Sequence, residues 1–138
     1  MKYTVRQATL KDVETIRMST TENGKVDMSV VRQSEEMRCF LCEDKPLMIL
    51  GLVNHPTGTQ EKIVALWGLF AKGINKHTIP LVRACKDLIM DRVGYTFVCY
   101  INENNAKFKR FATFFGFEPT KNVEEFGGKL YRYYVKRN

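Results

Sequence analysis

The sequence predicts a mixed α/β (α+β) domain built around one strand–helix–strand unit, and three observations carry that prediction. Two apolar runs, Ile63 to Phe70 and Tyr95 to Ile101, lack the alternation of a half-buried strand and read as strands covered on both faces. Between them Leu81, Val82, Cys85, Leu88, Ile89 and Val93 recur at three- and four-residue spacing, while Arg83, Lys86, Asp87 and Asp91 fall elsewhere on the wheel, so the segment Ile79 to Val93 is an amphipathic helix. Shorter strand-like segments separated by turn residues flank this unit on both sides. Strands joined through such a helix pair in parallel by a right-handed crossover. The crossover aims the amides at the helix start toward the carboxyl ends of the strands, where a phosphate-bearing ligand can sit.

Taken in order, Tyr3 to Ala8 reads as a first strand. Thr9 with Asp12 resembles a capping box, and Val13 and Ile16 then face a core in a helix reaching about Met18. The polar stretch Thr20 to Lys25, with Asn23-Gly24, is a loop, and a second short helix is expected over Met28 to Met37. Arg38 to Cys42 and Leu47 to Asn54 form a hairpin through Glu43-Asp44-Lys45-Pro46, and His55 to Thr59 makes a further turn. After the central strand comes a short basic loop, Ala71 to His77. Thr78 is the expected N-cap of the long helix, Pro80 is tolerated in its first turn, and Gly94 suits a left-handed stop. Asn102 to Asn105 is a polar loop with several N-cap candidates. Ala106 to Phe115 is a helix with Phe108, Phe111, Ala112 and Phe115 inward and Lys107, Lys109 and Arg110 outward, ended by Gly116. A last hairpin from Phe117 turns at Gly127-Gly128 and returns through Lys129 to Lys136. The order is β-α-α-β-β-β-α-β-α-β-β.

A chain of 138 residues with 44% hydrophobic and 27% charged residues is expected to form one domain, 1–138, with a real core. It has no run of about 18 apolar residues, and the polar start (Lys2, Thr4, Arg6, Gln7) is unlike a signal peptide, so a cytosol-like compartment and no membrane are expected. Cys39 and Cys42 form a C-x-x-C pair followed by His55. The next histidine is His77, far outside zinc-finger spacing, so buried, reduced thiols and no metal are the favoured reading for all four cysteines, Cys85 and Cys99 included. The net charge of +7 makes an anionic partner worth weighing. From Ala106 onward eight Lys/Arg stand against Glu118, Glu124 and Glu125. Tyr131, Tyr133 and Tyr134 interleave with Arg132, Lys136 and Arg137, a pattern that suits single-stranded nucleic acid. A solvated strand with one aromatic face in the core is preferred, because no RNA-binding motif accompanies it.

The element order is similar to that of the GNAT superfamily of acetyl-CoA-dependent N-acetyltransferases. Val5-Arg6-Gln7-Ala8-Thr9-Leu10-Lys11-Asp12 resembles the family's opening, and Phe40 to Lys45 with Gly51-Leu52-Val53 resembles its second and third strands. Asn105 followed by a helix and Gly116-Phe117 is the best match. The resemblance implies a GNAT-like mixed central sheet of about six to seven strands with about four helices, and acetyl-CoA as the cofactor. Family members hold the coenzyme diphosphate with an [RQ]-x-x-G-x-[GA] loop at the start of the long helix. Here that place reads Asn75-Lys76-His77-Thr78-Ile79-Pro80, without either glycine, and Pro80 withdraws one amide. The cofactor-binding residues the resemblance implies are therefore Leu69, Phe70, Lys76, His77, Thr78 and Asn105. Active members place a general-acid Tyr seven residues after the Asn; that position is Ala112, beside Phe111. The candidates for a catalytic base are Glu61, Tyr100 and Glu103.

These departures resemble one group of GNAT-like proteins, the internal virion protein A family of podovirus-type tailed phages. The likeness rests on Trp67-Gly68-Leu69, the basic glycine-poor loop, the helix Leu81 to Met90, and Asn105 with Phe111 and Ala112. It implies a degenerate acetyl-CoA site and a role in virion assembly, with phage structural proteins as partners and the host cytoplasm or the virion as location. Exposed aromatics among Phe114, Phe115, Phe126 and Tyr131 are expected of such a contact protein. The alternative is an active acetyl-CoA-dependent N-acetyltransferase of a small amine or a protein lysine. A nucleic-acid-binding domain using the basic tail is the third reading.

Overall fold

A computed structural model describes residues 2–18, 28–55 and 62–138. Among the described residues seven strands, Tyr3–Gln7 (β1), Glu36–Cys42 (β2), Lys45–His55 (β3), Lys62–Phe70 (β4), Tyr95–Asn102 (β5), Glu118–Phe126 (β6) and Lys129–Arg137 (β7), lie in one sheet in the order β1-β2-β3-β4-β5-β7-β6, accompanied by four α-helices. The chain divides into two compact units, Met1–Asn54 with Leu66–Ala84 and His55–Ala65 with Cys85–Asn138.

The first unit opens with β1 (Tyr3–Gln7) and α1 (Leu10–Arg17). The capping box expected from Thr9 and Asp12 is present: the Asp12 amide donates to Thr9 Oγ1, and the Thr9 amide donates to Asp12 Oδ2 at 2.8 Å. Arg6 adds a two-pronged ion pair, Nη1 to Oδ2 at 2.6 Å and Nη2 to Oδ1 at 2.8 Å, so a buried carboxylate gains four donors. α2 (Met28–Gln33) is shorter than expected. Ser34 Oγ donates back to Val30 O at 2.9 Å and the Glu35 amide donates to Leu52 O at 2.9 Å, so sheet pairing captures Glu36 and Met37 for β2 (Glu36–Cys42).

The hairpin to β3 (Lys45–His55) is also tighter than expected. Cys42 pairs with Lys45, and only Glu43 and Asp44 form the turn, both at positive φ (50° and 63°). A two-residue turn of this hand matches strand twist, and its benefit outweighs the absence of glycine. Pro46 sits inside β3, where a register shift next to Leu41 accommodates its missing donor. The core of this unit gathers Val13, Ile16, Val31, Cys39, Leu41, Ile49 and Leu69. Trp67 closes it by lying against Gly51, where a Cβ would overlap the indole, while Nε1 donates to Ser34 Oγ at 2.7 Å. The expected turn after His55 falls at 56–59, outside the described residues.

β4 (Lys62–Phe70) begins in the second unit and ends in the first. Its ladder with β5 (Tyr95–Asn102) is parallel, as the crossover requires, and pairs Lys62–Ala65 with Tyr95–Val98. α3 (Thr78–Ile89) stops four residues before the expected end. The Met90 and Asp91 amides both donate to Lys86 O, and Val93 is 89% exposed. Gly94 (φ 82°) takes a left-handed position in the turn entering β5 rather than at the helix terminus. Asn138 Nδ2 donates to the Ile89 and Arg92 carbonyls at 2.6 and 3.0 Å, satisfying that helix end.

α4 (Ala106–Phe114) is capped by Asn105 and ends at Phe115 with Gly116 at φ 83°, as expected. Phe111 and Phe115 pack at 4.7 Å between ring centroids. β6 (Glu118–Phe126) and β7 (Lys129–Arg137) turn at Gly127-Gly128, and β7 lies between β5 and β6. Among the described residues no helix is long and apolar enough to cross a membrane.

The Arg6 pair holds the Asp12 carboxyl well below the usual carboxylate range, with the Thr9 bonds acting the same way against the cost of burial. A depressed carboxyl stabilises the fold above its unfolded pKa of about 4 and loses that contribution as pH falls toward the folded value. Asp12→Asn is expected to cost about 1–3 kcal/mol in urea unfolding at neutral pH. Its loss of stability below about pH 4 should be shallower than that of the parent chain.

Candidate functional site

In the first unit the link from β4 to α3 holds most of the residues expected to meet a coenzyme. Leu69 is buried and Phe70 half-buried at the end of β4, and the Ala71 amide continues the sheet by donating to Leu47 O at 2.8 Å. Gly73 (φ 82°) then turns the chain into a 3₁₀ turn, Ile74–His77, which runs into α3 without a break. The segment Ala71 to His77 was expected to be a short basic loop, with Thr78 as N-cap. Thr78 instead has helical angles (φ −55°, ψ −52°) and is the first residue of α3. The Ile74 amide donates to Ala71 O at 3.3 Å and the Lys76 amide to Gly73 O at 3.2 Å. Tight i→i+3 bonding of this kind absorbs donors that a helix start otherwise points outward.

His77 is likewise engaged. Its Nδ1 lies 2.7 Å from the Tyr3 hydroxyl, with the rings edge to face at 5.6 Å. Burial, and then the neighbouring Cys42 thiol, raise the Tyr3 phenol, so it stays protonated and can donate to the imidazole. Lys76 is an exposed cation at this turn, and Lys72, just before it, is exposed as well.

In the second unit β5 and the start of α4 bring Tyr100, Glu103 and Asn105 together along 100–105. Tyr100 is 43% exposed; partial burial, then the neighbouring Glu124 carboxylate, raise its phenol, while Asn122 acts the other way. Glu103 receives Arg132 Nε at 2.6 Å and Lys109 Nζ at 3.4 Å. The Arg132 bond, more than any other contact, lowers its pKa, which makes Glu103 a weaker base than a free glutamate. Asn105 Oδ1 accepts from the Phe108 amide at 3.1 Å and so serves as the helix cap. Ala112 and Phe111 are buried in the α4 core, with no hydroxyl at that position. Glu61 lies outside the described residues.

None of the four cysteines is in a disulfide, and all four are buried. Burial pushes Cys39 up to about 11, Cys99 up to about 12 and Cys85 higher still, which suits inert core side chains. Among the described residues no cluster of three His, Cys, Asp or Glu is placed to hold a metal ion. Of the aromatics expected at the surface, Phe114 and Phe126 are more than half exposed and Tyr131 is half-buried, whereas Phe115 is a core residue because it closes α4 against Phe111. Tyr3 had no sequence signal, because it meets His77 from 74 positions away in the chain.

No protein-family profile matches the chain, and no curated protein matches it in sequence. Solved structures do match its fold over nearly the whole length. Arabidopsis thaliana Naa50, in complex with the bisubstrate analogue CoA-Ac-MVNAL, aligns with a TM-score of 0.74 at 12% identity, covering 100% of both chains. The aminoglycoside acetyltransferase AAC(6')-Ib in complex with coenzyme A gives 0.66 at 12% identity, covering 99% of this chain and 95% of the other. A GNAT-family acetyltransferase from Streptococcus pneumoniae gives 0.66 at 12% identity over 98% of each. The chain has the GNAT acetyltransferase fold.

The Glu103 carboxyl is expected to titrate below the free-glutamate range when followed by carboxyl carbon NMR. Arg132→Gln should move that midpoint back upward, toward the value of an unpaired side chain.

Proposed function

We propose that this chain keeps the GNAT scaffold with a degenerate acetyl-CoA site and works through protein contacts. Its setting would be virion assembly, or the interior of the particle, in a tailed phage. One observation carries the loss of the cofactor site: the Ile74 and Lys76 amides are bonded within their own turn, and Pro80 has none to offer. A diphosphate at a helix start is held chiefly by backbone N–H groups, and the exposed Lys72 and Lys76 side chains replace neither their number nor their fixed direction. The residues at this turn therefore do not fit the coenzyme diphosphate.

Two further features support the reading. Ala112, where a departing thiolate would need a proton donor, is a buried methyl group. Phe114 and Phe126 present apolar area to solvent, as contact proteins do. The phage setting is supported by the likeness of Trp67-Gly68-Leu69 and of the Asn105, Phe111, Ala112 combination to the internal virion protein A family. A second reading, an acetyl-CoA-dependent N-acetyltransferase of a small amine or a protein lysine, is favoured by the coenzyme A and bisubstrate complexes among the fold neighbours.

Calorimetric titration of the purified chain with acetyl-CoA separates the two. No saturable heat is expected up to about 1 mM. A micromolar dissociation constant, weakened when Lys76→Ala removes an exposed cation of the turn, would establish the enzyme reading instead.

A further inference from the structure

We propose that β6 pairs antiparallel with β6 of a second copy of this chain, giving a two-fold dimer whose axis passes beside Val123. Among the described residues β6 ends the sheet, with β7 as its one neighbour, and every residue of it except Thr120 is exposed. The outer border carries a fixed pattern of backbone groups. Gly127 and Gly128, at φ 57° and 78°, make a two-residue turn closed by the pair Phe126–Lys129, and such a closing pair is hydrogen-bonded. Bonded and unbonded pairs alternate along an antiparallel ladder, so Glu124–Tyr131 is bonded whereas Glu125–Leu130 and Val123–Arg132 are not. The N–H and C=O of Val123 and Glu125 therefore point away from β7, toward whatever strand lies along the edge.

The side chains choose the register and the occupant. Outward groups must meet outward groups, which lets the axis fall at Val123, Glu124 or Glu125, since an axis at Phe126 runs the partner into the turn. An axis at Glu124 or Glu125 sets that carboxylate against its own copy, a repulsive pair. An axis at Val123 sets Val123 against the partner's Val123, Lys121 against the partner's Glu125 and, by symmetry, Glu125 against the partner's Lys121. Asn122 then meets the partner's Glu124, a donor beside an acceptor. Pro119, which has no N–H to give, falls opposite the partner's Gly127, outside the strand. Val123 is 37% exposed, so apolar contact sits at the axis between the two ion pairs. Lys121 belongs to the irregular stretch between Pro119 and Val123, which Thr120 fastens to β7 by donating from Oγ1 to Tyr133 O at 2.9 Å. Its flexible four-carbon side chain supplies the reach the ion pair needs. Charges on an edge strand ordinarily deter pairing, but the order of these is complementary to itself.

This pairing goes beyond the contact-protein reading, and its test uses no coenzyme, so each stands or falls without the other. Sedimentation velocity of the full chain from about 5 μM to about 500 μM is expected to show monomer giving way to dimer. Val123→Pro removes an N–H that the alternation turns away from β7, and should leave the chain monomeric with its native circular dichroism. Glu125→Lys should weaken the dimer by at least about tenfold, and adding Lys121→Glu to it should bring the constant back to within about threefold of the parent. That exchange of charges decides the register even where the proline variant fails to fold. A chain monomeric over the whole range, a dimer that survives a folded Val123→Pro, or a double variant no tighter than Glu125→Lys alone would each overturn the proposal.

Discussion

Backbone N–H groups in the link between β4 and α3 need partners, and three of them find theirs within the chain. Ala71 bonds back to β3, Ile74 to Ala71, and Lys76 to Gly73. In the function proposed above, these bonds take up donors where a coenzyme-binding scaffold of this kind needs them open. Gly73 is what permits the turn, since its φ of 82° sits in the left-handed region. Pro80 completes the effect by removing a donor from the first turn of α3. On the proposed reading, a fold persists while local hydrogen bonding withdraws the ligand chemistry it usually supports.

The same economy recurs at polar residues that invite a functional reading. Asn105 caps α4, Glu103 neutralises Arg132 and Lys109, and His77 meets Tyr3. Each has a structural occupation that its residue type does not reveal.

Much of the fold was legible because its signals are local. The Thr9–Asp12 box, the wheel of α3, the Gly116 stop of α4 and the Gly127-Gly128 turn each depend on residues within a few positions of one another. The errors came where distant pairing decided the outcome. Met28 to Met37 reads as one helix until the Glu35 amide finds Leu52, and Glu43 to Pro46 reads as a four-residue turn until Cys42 pairs with Lys45. The site was less legible for the same reason. Missing glycines at 78 and 80 are visible in the sequence, but the Tyr3–His77 contact spans 74 positions and the Glu103–Arg132 pair spans 29.

The central claim concerns two amides. Assigned nitrogen–proton spectra of the isotopically labelled chain, recorded during addition of acetyl-CoA, report on them directly. The account predicts that the Ile74 and Lys76 resonances hold their positions throughout, because their hydrogens stay on Ala71 and Gly73 oxygen. Saturable downfield movement of both, as expected when phosphate oxygen replaces a carbonyl partner, would contradict it.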